Sequence, residues 1–79
     1  MAPIMFTVEA RVGNEKRSYQ TFDLQKAYDT FAKAILVVGN AGTVKLINGT
    51  TYDNTVWDGH KLEGNTITIR TIKHVLEVA

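Results

Sequence analysis

One stretch limits what this chain can fold into. Residues 23–38, DLQKAYDTFAKAILVV, form its only clean amphipathic helix pattern. Leu24, Ala27, Tyr28, Phe31, Ile35 and Val38 fall at i, i+3, i+4, i+7, i+11 and i+14, one face of a 3.6-residue period. Gln25, Lys26, Asp29, Thr30 and Lys33 fall on the other side. The Asp23 carboxylate can accept from an unpaired N–H of the first turn. Gly39-Asn40 supplies the left-handed residue that commonly ends a helix. Leu36 and Val37 lie off the stripe, so either the last turn is covered on two sides or the helix ends near Ala34. A helix running straight into a strand leaves no room for a connection, so the spacing predicts a helix through Val38.

Short strand patterns lie on both sides. Residues 4–12 alternate, with Ile4, Phe6, Val8, Ala10 and Val12 against Met5, Thr7, Glu9 and Arg11. That is period two, with one face on a core and one toward water. Residues 13–16 read as a turn and 17–22 as the return strand. Beyond the helix, residues 39–42 form a loop and 43–48 a strand, with Val44 and Leu46 on one face and Lys45 and Ile47 on the other. Asn48-Gly49 predicts a two-residue hairpin turn into a partner strand over 50–57. Asp58-Gly59 predicts a second turn, residues 60–62 a short return, and residues 63–65 a third turn. Residues 66–70 alternate, with Ile67 and Ile69 on one face. The phase then shifts, since Ile72, His74, Leu76 and Val78 carry even numbers. A β-bulge near Arg70-Thr71, a new strand, or a helical turn over 72–77 all account for the shift.

The pattern gives an α+β class: an antiparallel sheet of about five strands, ordered β-β-α-β-β-β, with one amphipathic helix on one face. The expected core is Phe6, Val8, Ala10, Leu24, Tyr28, Phe31, Ile35, Val44, Leu46, Ile67 and Ile69. The opposite face would carry Met5, Thr7, Glu9, Arg11, Lys45, Ile47, Thr66, Thr68 and Arg70. No repeat or linker divides the 79 residues, which suit one small domain, 1–79. Apolar residues make up 44%, enough for a globular core. With no cysteine there is neither a disulfide framework nor a cysteine zinc site. No apolar run of membrane-spanning length and no secretory leader is evident, so a reducing, cytoplasmic setting is expected. A net charge of +1 is not the imbalance of a dedicated nucleic-acid binder.

Candidate chemistry is sparse. Asp53, Asp58 and His60 are the only concentrated set of ligand or acid–base groups, and turn chemistry explains them better than a metal does. Ser18 is the only serine and the two histidines lie in different segments, so no nucleophile–base pairing stands out. Residues 39–42 follow a helix and precede a strand, the reverse of a phosphate loop. Asn48-Gly49-Thr50 matches a glycosylation acceptor, but a tight turn accounts for it. No enzymatic activity, cofactor or metal is expected.

The expectation is a small protein-interaction module acting by docking, with a protein partner or a second copy as homodimer. Its candidate contact residues are Met5, Arg11, Lys45, Ile47, Arg70 and Lys73. In size and build, a helix on a small antiparallel sheet resembles small phage-encoded inhibitors of host defence. That likeness carries no functional residue over. The alternative is a nucleic-acid-binding domain. It would use a basic patch of Arg70, Lys73 and His74 with Arg11 or Lys45, and Tyr52 and Trp57 would stack on bases. Asp53, Asp58 and Glu63 would oppose phosphate there.

Overall fold

The computed structural model describes residues 4–49 and 54–78, and places Val78 by its backbone alone. The elements run β1 (Phe6–Val12), β2 (Glu15–Thr21), α1 (Leu24–Val38), β3 (Gly42–Asn48), β4 (Thr55–Trp57), β5 (Leu62–Glu63) and α2 (Thr66–Val78). The strands form one sheet in the order β2-β1-β3-β4-β5. Each neighbouring pair is antiparallel; α1 packs on one face, and α2 lies on the same side against α1, with Ile72 in the shared core. The α+β class and the strand–strand–helix–three-strand order hold, and a second helix follows them.

Central to the packing is α1, which contacts β1, β3 and α2. Asp23 caps its start. Oδ1 accepts from the N–H of Gln25 at 2.9 Å and of Lys26 at 3.3 Å. Gly39 ends it at φ 56°, with its N–H donating to the Ile35 carbonyl at 2.8 Å. The helix runs to Val38, yet Leu36 and Val37 are covered on neither side, standing 60% and 86% exposed. The buried stripe is Ala27, Phe31, Ala32, Ile35 and Val38. Below it lie Phe6, Val8, Val44 and Leu46, which β1 and β3 point at the helix. Ala10 and Tyr28 are partly buried against this cluster, whereas Leu24, expected in the core, is 43% exposed at the first helical position.

Trp57 fastens the sheet to the end of α1. Its indole Nε1 donates to the Gly39 carbonyl at 2.8 Å, occupying a group the helix leaves unpaired. Trp57→Phe keeps an aromatic ring, though a smaller one, and removes the donor. It is expected to lower stability by about 1 kcal/mol, the usual worth of one such bond, measured as a shift in urea midpoint at unchanged m-value.

The main correction falls on the C-terminal segment. Residues 66–70 are not a strand, and the phase change after Arg70 is neither a bulge nor a new strand. All of it is α2. Asn65 caps this helix, with Oδ1 accepting from the N–H of Ile67 at 2.9 Å and of Thr68 at 3.3 Å. Ile72 is completely buried and Leu76, one turn on, packs against the core. Ile67 is not a core residue but 73% exposed, and Ile69 is only partly buried. TITIR is rich in β-branched residues and alternates over too few positions to separate period two from period 3.6. The helix accommodates Thr71 by letting its hydroxyl donate back to the Ile67 carbonyl at 3.0 Å.

Two turns also differ from expectation. The first hairpin is tighter, because Val12 pairs with Glu15 across only Gly13 and Asn14. Gly13 takes φ 59° while Asn14 stays at negative φ, the pattern of a type II′ turn. The second is wider. A two-residue turn at Asn48-Gly49 would set Leu46 opposite Thr51, but Leu46 pairs with Thr55. Residues 50–53, the first half of the expected partner strand, lie outside the described residues, and β4 keeps only Thr55–Trp57 of the rest. Gly49 instead extends the β1–β3 ladder, its N–H donating to the Met5 carbonyl at 3.1 Å.

Candidate functional site

With both helices on one side, no other element covers the opposite face of the sheet among the described residues. Alternation from the buried positions assigns it Thr7, Glu9 and Arg11 of β1 and Thr43, Lys45 and Ile47 of β3. Met5 has the same parity one step before β1. The register adds Lys16, Ser18 and Gln20 of β2, opposite Arg11, Glu9 and Thr7. The fold therefore puts Met5, Arg11, Lys45 and Ile47 on one face, Met5 and Ile47 toward one end and Arg11 at the other. Arg70 and Lys73 do not join them. They lie on α2, on the helix side of the sheet, with Thr66 and Thr68. No single face gathers the four cations.

Arg11, Lys16 and Lys45, with Glu9 and Thr43, line a shallow depression of about 250 Å³. Lys45 stands directly opposite Glu9. Lys16 reaches the same carboxylate, Nζ to Oε1 at 3.4 Å. Arg11 faces a like charge, Lys16, across the hairpin and Thr43 on the other side. Among the described residues it has no ion pair. Like charges directly opposite in a sheet repel, so an incoming carboxylate or phosphate would relieve this pair. Lys16 was missed by sequence reasoning, which assigned it to the turn. Only the two-residue length of that turn puts it into the strand.

Two further depressions lie on the helix side. Thr66, Ile69, Arg70, Lys73, His74 and Glu77 line one. The other is a cleft between α2 and the β4–β5 hairpin, of about 320 Å³. Its lining is Trp57, His60, Lys61, Leu62, Lys73 and Leu76. Trp57 is half-buried there and its N–H is committed to Gly39, so it contributes an apolar wall. Lys61 pairs with Glu63 at 2.7 Å, and this bond raises its pKa above the ordinary lysine value. Tyr52, the other expected stacking residue, lies outside the described residues.

Asp58 is a turn residue. Its Oδ1 accepts from the N–H of Lys61 at 3.0 Å and of His60 at 3.3 Å, and Gly59 follows at φ 103°. The Lys61 N–H above all holds its carboxyl below the usual aspartate value; desolvation opposes it, and the His60 N–H adds a smaller lowering. His60 Nδ1 lies 3.5 Å from the same oxygen and is exposed. Asp53, the third member of the expected set, lies outside the described residues. Among the described residues no three His, Asp or Glu side chains converge to hold a metal ion. None of the described helices is long and apolar enough to cross a membrane. No protein-family model matches this chain, and no match is found among curated proteins or solved structures.

Proposed function

We propose that this chain is a small non-enzymatic docking module that presents its uncovered sheet face to a protein partner. One observation carries the reading: among the described residues both helices lie on one side of the sheet, leaving on the other an apolar end, Met5 and Ile47, and a basic end, Arg11, Lys16 and Lys45. An apolar end next to a basic one fits a partner surface with an apolar contact at one side and carboxylates at the other. The general build of small phage-encoded inhibitors of host defence fits the same use, because blocking a surface requires no chemistry.

The test is capture from host lysate after nuclease treatment, with two charge-reversed variants. Arg11→Glu with Lys45→Glu reverses the sheet face. Arg70→Glu with Lys73→Glu reverses α2. The expected result is one stoichiometric protein held by the wild type and the α2 variant, with recovery at least tenfold lower for the sheet-face variant. Equal capture by all three would sink the proposal.

A nucleic-acid reading is favoured by one feature, the three cations around a single depression. It predicts capture that disappears with nuclease. It also predicts affinity for single strands falling with salt at a log–log slope of about −2, for three phosphate contacts. Glu9 at the centre of the depression and the tied indole of Trp57 count against it.

A further inference from the structure

The sheet has one long unpaired edge among the described residues. At the far side β5 is only 2 residues long, too short to template another strand. On the near side β2 has 7 residues, and Glu15 to Gln20 are all exposed. The hairpin fixes which backbone groups face outward. Glu15, Arg17, Tyr19 and Thr21 occupy hydrogen-bonded pairs with β1, because the residues flanking a two-residue turn form such a pair and the pattern alternates from there. The N–H and C=O groups of Lys16, Ser18 and Gln20 therefore point away from the sheet.

We infer that this edge pairs with β2 of a second copy, antiparallel, about a two-fold axis at Ser18. The outward groups of Lys16, Ser18 and Gln20 then meet those of Gln20, Ser18 and Lys16 in the partner. On the helix side Arg17 lies across from Tyr19, an arrangement suited to a cation–π contact. Glu15 lies across from Thr21. Charge disfavours the registers shifted toward the turn. Moving the axis to Arg17 sets two guanidinium groups opposite each other, and moving it to Lys16 sets two ammonium groups opposite. Edge cations normally deter strand addition. Here they deter the registers shifted toward the turn, and the Ser18 axis, which pairs the most outward backbone groups of the registers without a like-charged pair, is kept. The axis stands perpendicular to the sheet, so both copies keep their helices on one side and their open faces on the other. The inference does not depend on the face-docking reading, since β2 pairs through its backbone edge.

A chain without cysteine makes the register directly testable. Two residues opposite each other in a hydrogen-bonded pair have Cα atoms about 5.5 Å apart, within disulfide range. Ser18→Cys should therefore form a covalent dimer under mild oxidation. Lys16→Cys, equally exposed but displaced by four residues, roughly 13 Å, should cross-link at least tenfold more slowly. Sedimentation of the wild type should show mass rising with concentration from 8.8 kDa toward twice that value. Tyr19→Lys should weaken association at least tenfold by facing Arg17 of the other copy, and adding Arg17→Glu should restore it. A wild type that stays monomeric at millimolar concentration overturns the inference, as does equal cross-linking at both cysteines or no rescue by the double variant. Reversing Arg11 and Lys45 should leave the mass unchanged, so failure of one proposal is distinguishable from failure of the other.

Discussion

Phe31→Ala is expected to lower stability by about 3–5 kcal/mol, the range for removing a buried aromatic ring from a core that relaxes only in part. Phe31 is completely buried at the middle of α1, above Val8 and Val44. Domains of this size have only about 5 kcal/mol or little more to lose, so much of the variant population should be unfolded at 37 °C. Urea titration followed by circular dichroism measures it. A midpoint equivalent to a loss under about 1 kcal/mol would mean that α1 turns another face to the sheet. Phe31→Leu is the companion. It keeps most of the apolar volume and should lose clearly less than the alanine variant, which separates a cavity effect from loss of helix register.

Those expectations were legible because α1 announces itself at every level. Its apolar spacing, the Asp23 cap and the Gly39 stop agree, and the structure places the cap and the stop as read and buries the stripe except for Leu24 and part of Tyr28. The β1 alternation was equally plain, since one of its faces is buried and the other wet. What misled was α2. Thr66, Ile67, Thr68 and Ile69 favour a strand locally, and only Ile72 and Leu76, packed against α1 and the sheet, decide for a helix. Tertiary burial overrides local preference in such short segments. Asn65 was a usable signal, because a capping side chain before an apolar-periodic run marks a helix start. It was read as part of a turn.

Less of the candidate site was readable. Parity alone put Met5, Arg11, Lys45 and Ile47 on one face. The inclusion of Arg70 followed from treating residues 66–70 as a strand, and it fails with that strand. Lys16 entered only through the hairpin register, which depends on Gly13 accepting positive φ and on the turn closing in two residues. The exposed edge of β2 had no sequence signal at all. Its weak alternation left the inward side undecided, and the reason is now physical: neither face of most of the strand is buried.

Gly42→Ala is expected to be the most damaging single-methyl addition among the glycines flanking α1, lowering stability by about 3 kcal/mol, the upper end for forcing extra volume into a packed site. A Cβ there would clash with the Arg11 carbonyl oxygen, with the Arg11 carbonyl carbon and the Val12 Cα just beyond at 3.0 and 3.1 Å. All three are backbone atoms of the neighbouring strand, so no side chain can rotate away. The strain is one of space, since Gly42 is not a positive-φ residue. Gly39 gives the contrasting control: nothing lies within 4 Å of its Cβ position, but its φ is 56°. Gly39→Ala should therefore lose only about 1 kcal/mol, by conformation alone. The two variants also differ in where the damage shows. Parting β3 from β1 at Gly42 also disturbs the chain between α1 and β3, which Trp57 holds through the Gly39 carbonyl, so tryptophan emission should shift to the red in native buffer. Stability within about 0.5 kcal/mol of wild type would place the Arg11 carbonyl elsewhere. The β1–β3 register would then be wrong, and with it the grouping of Arg11, Glu9 and Lys45 on which the docking face rests.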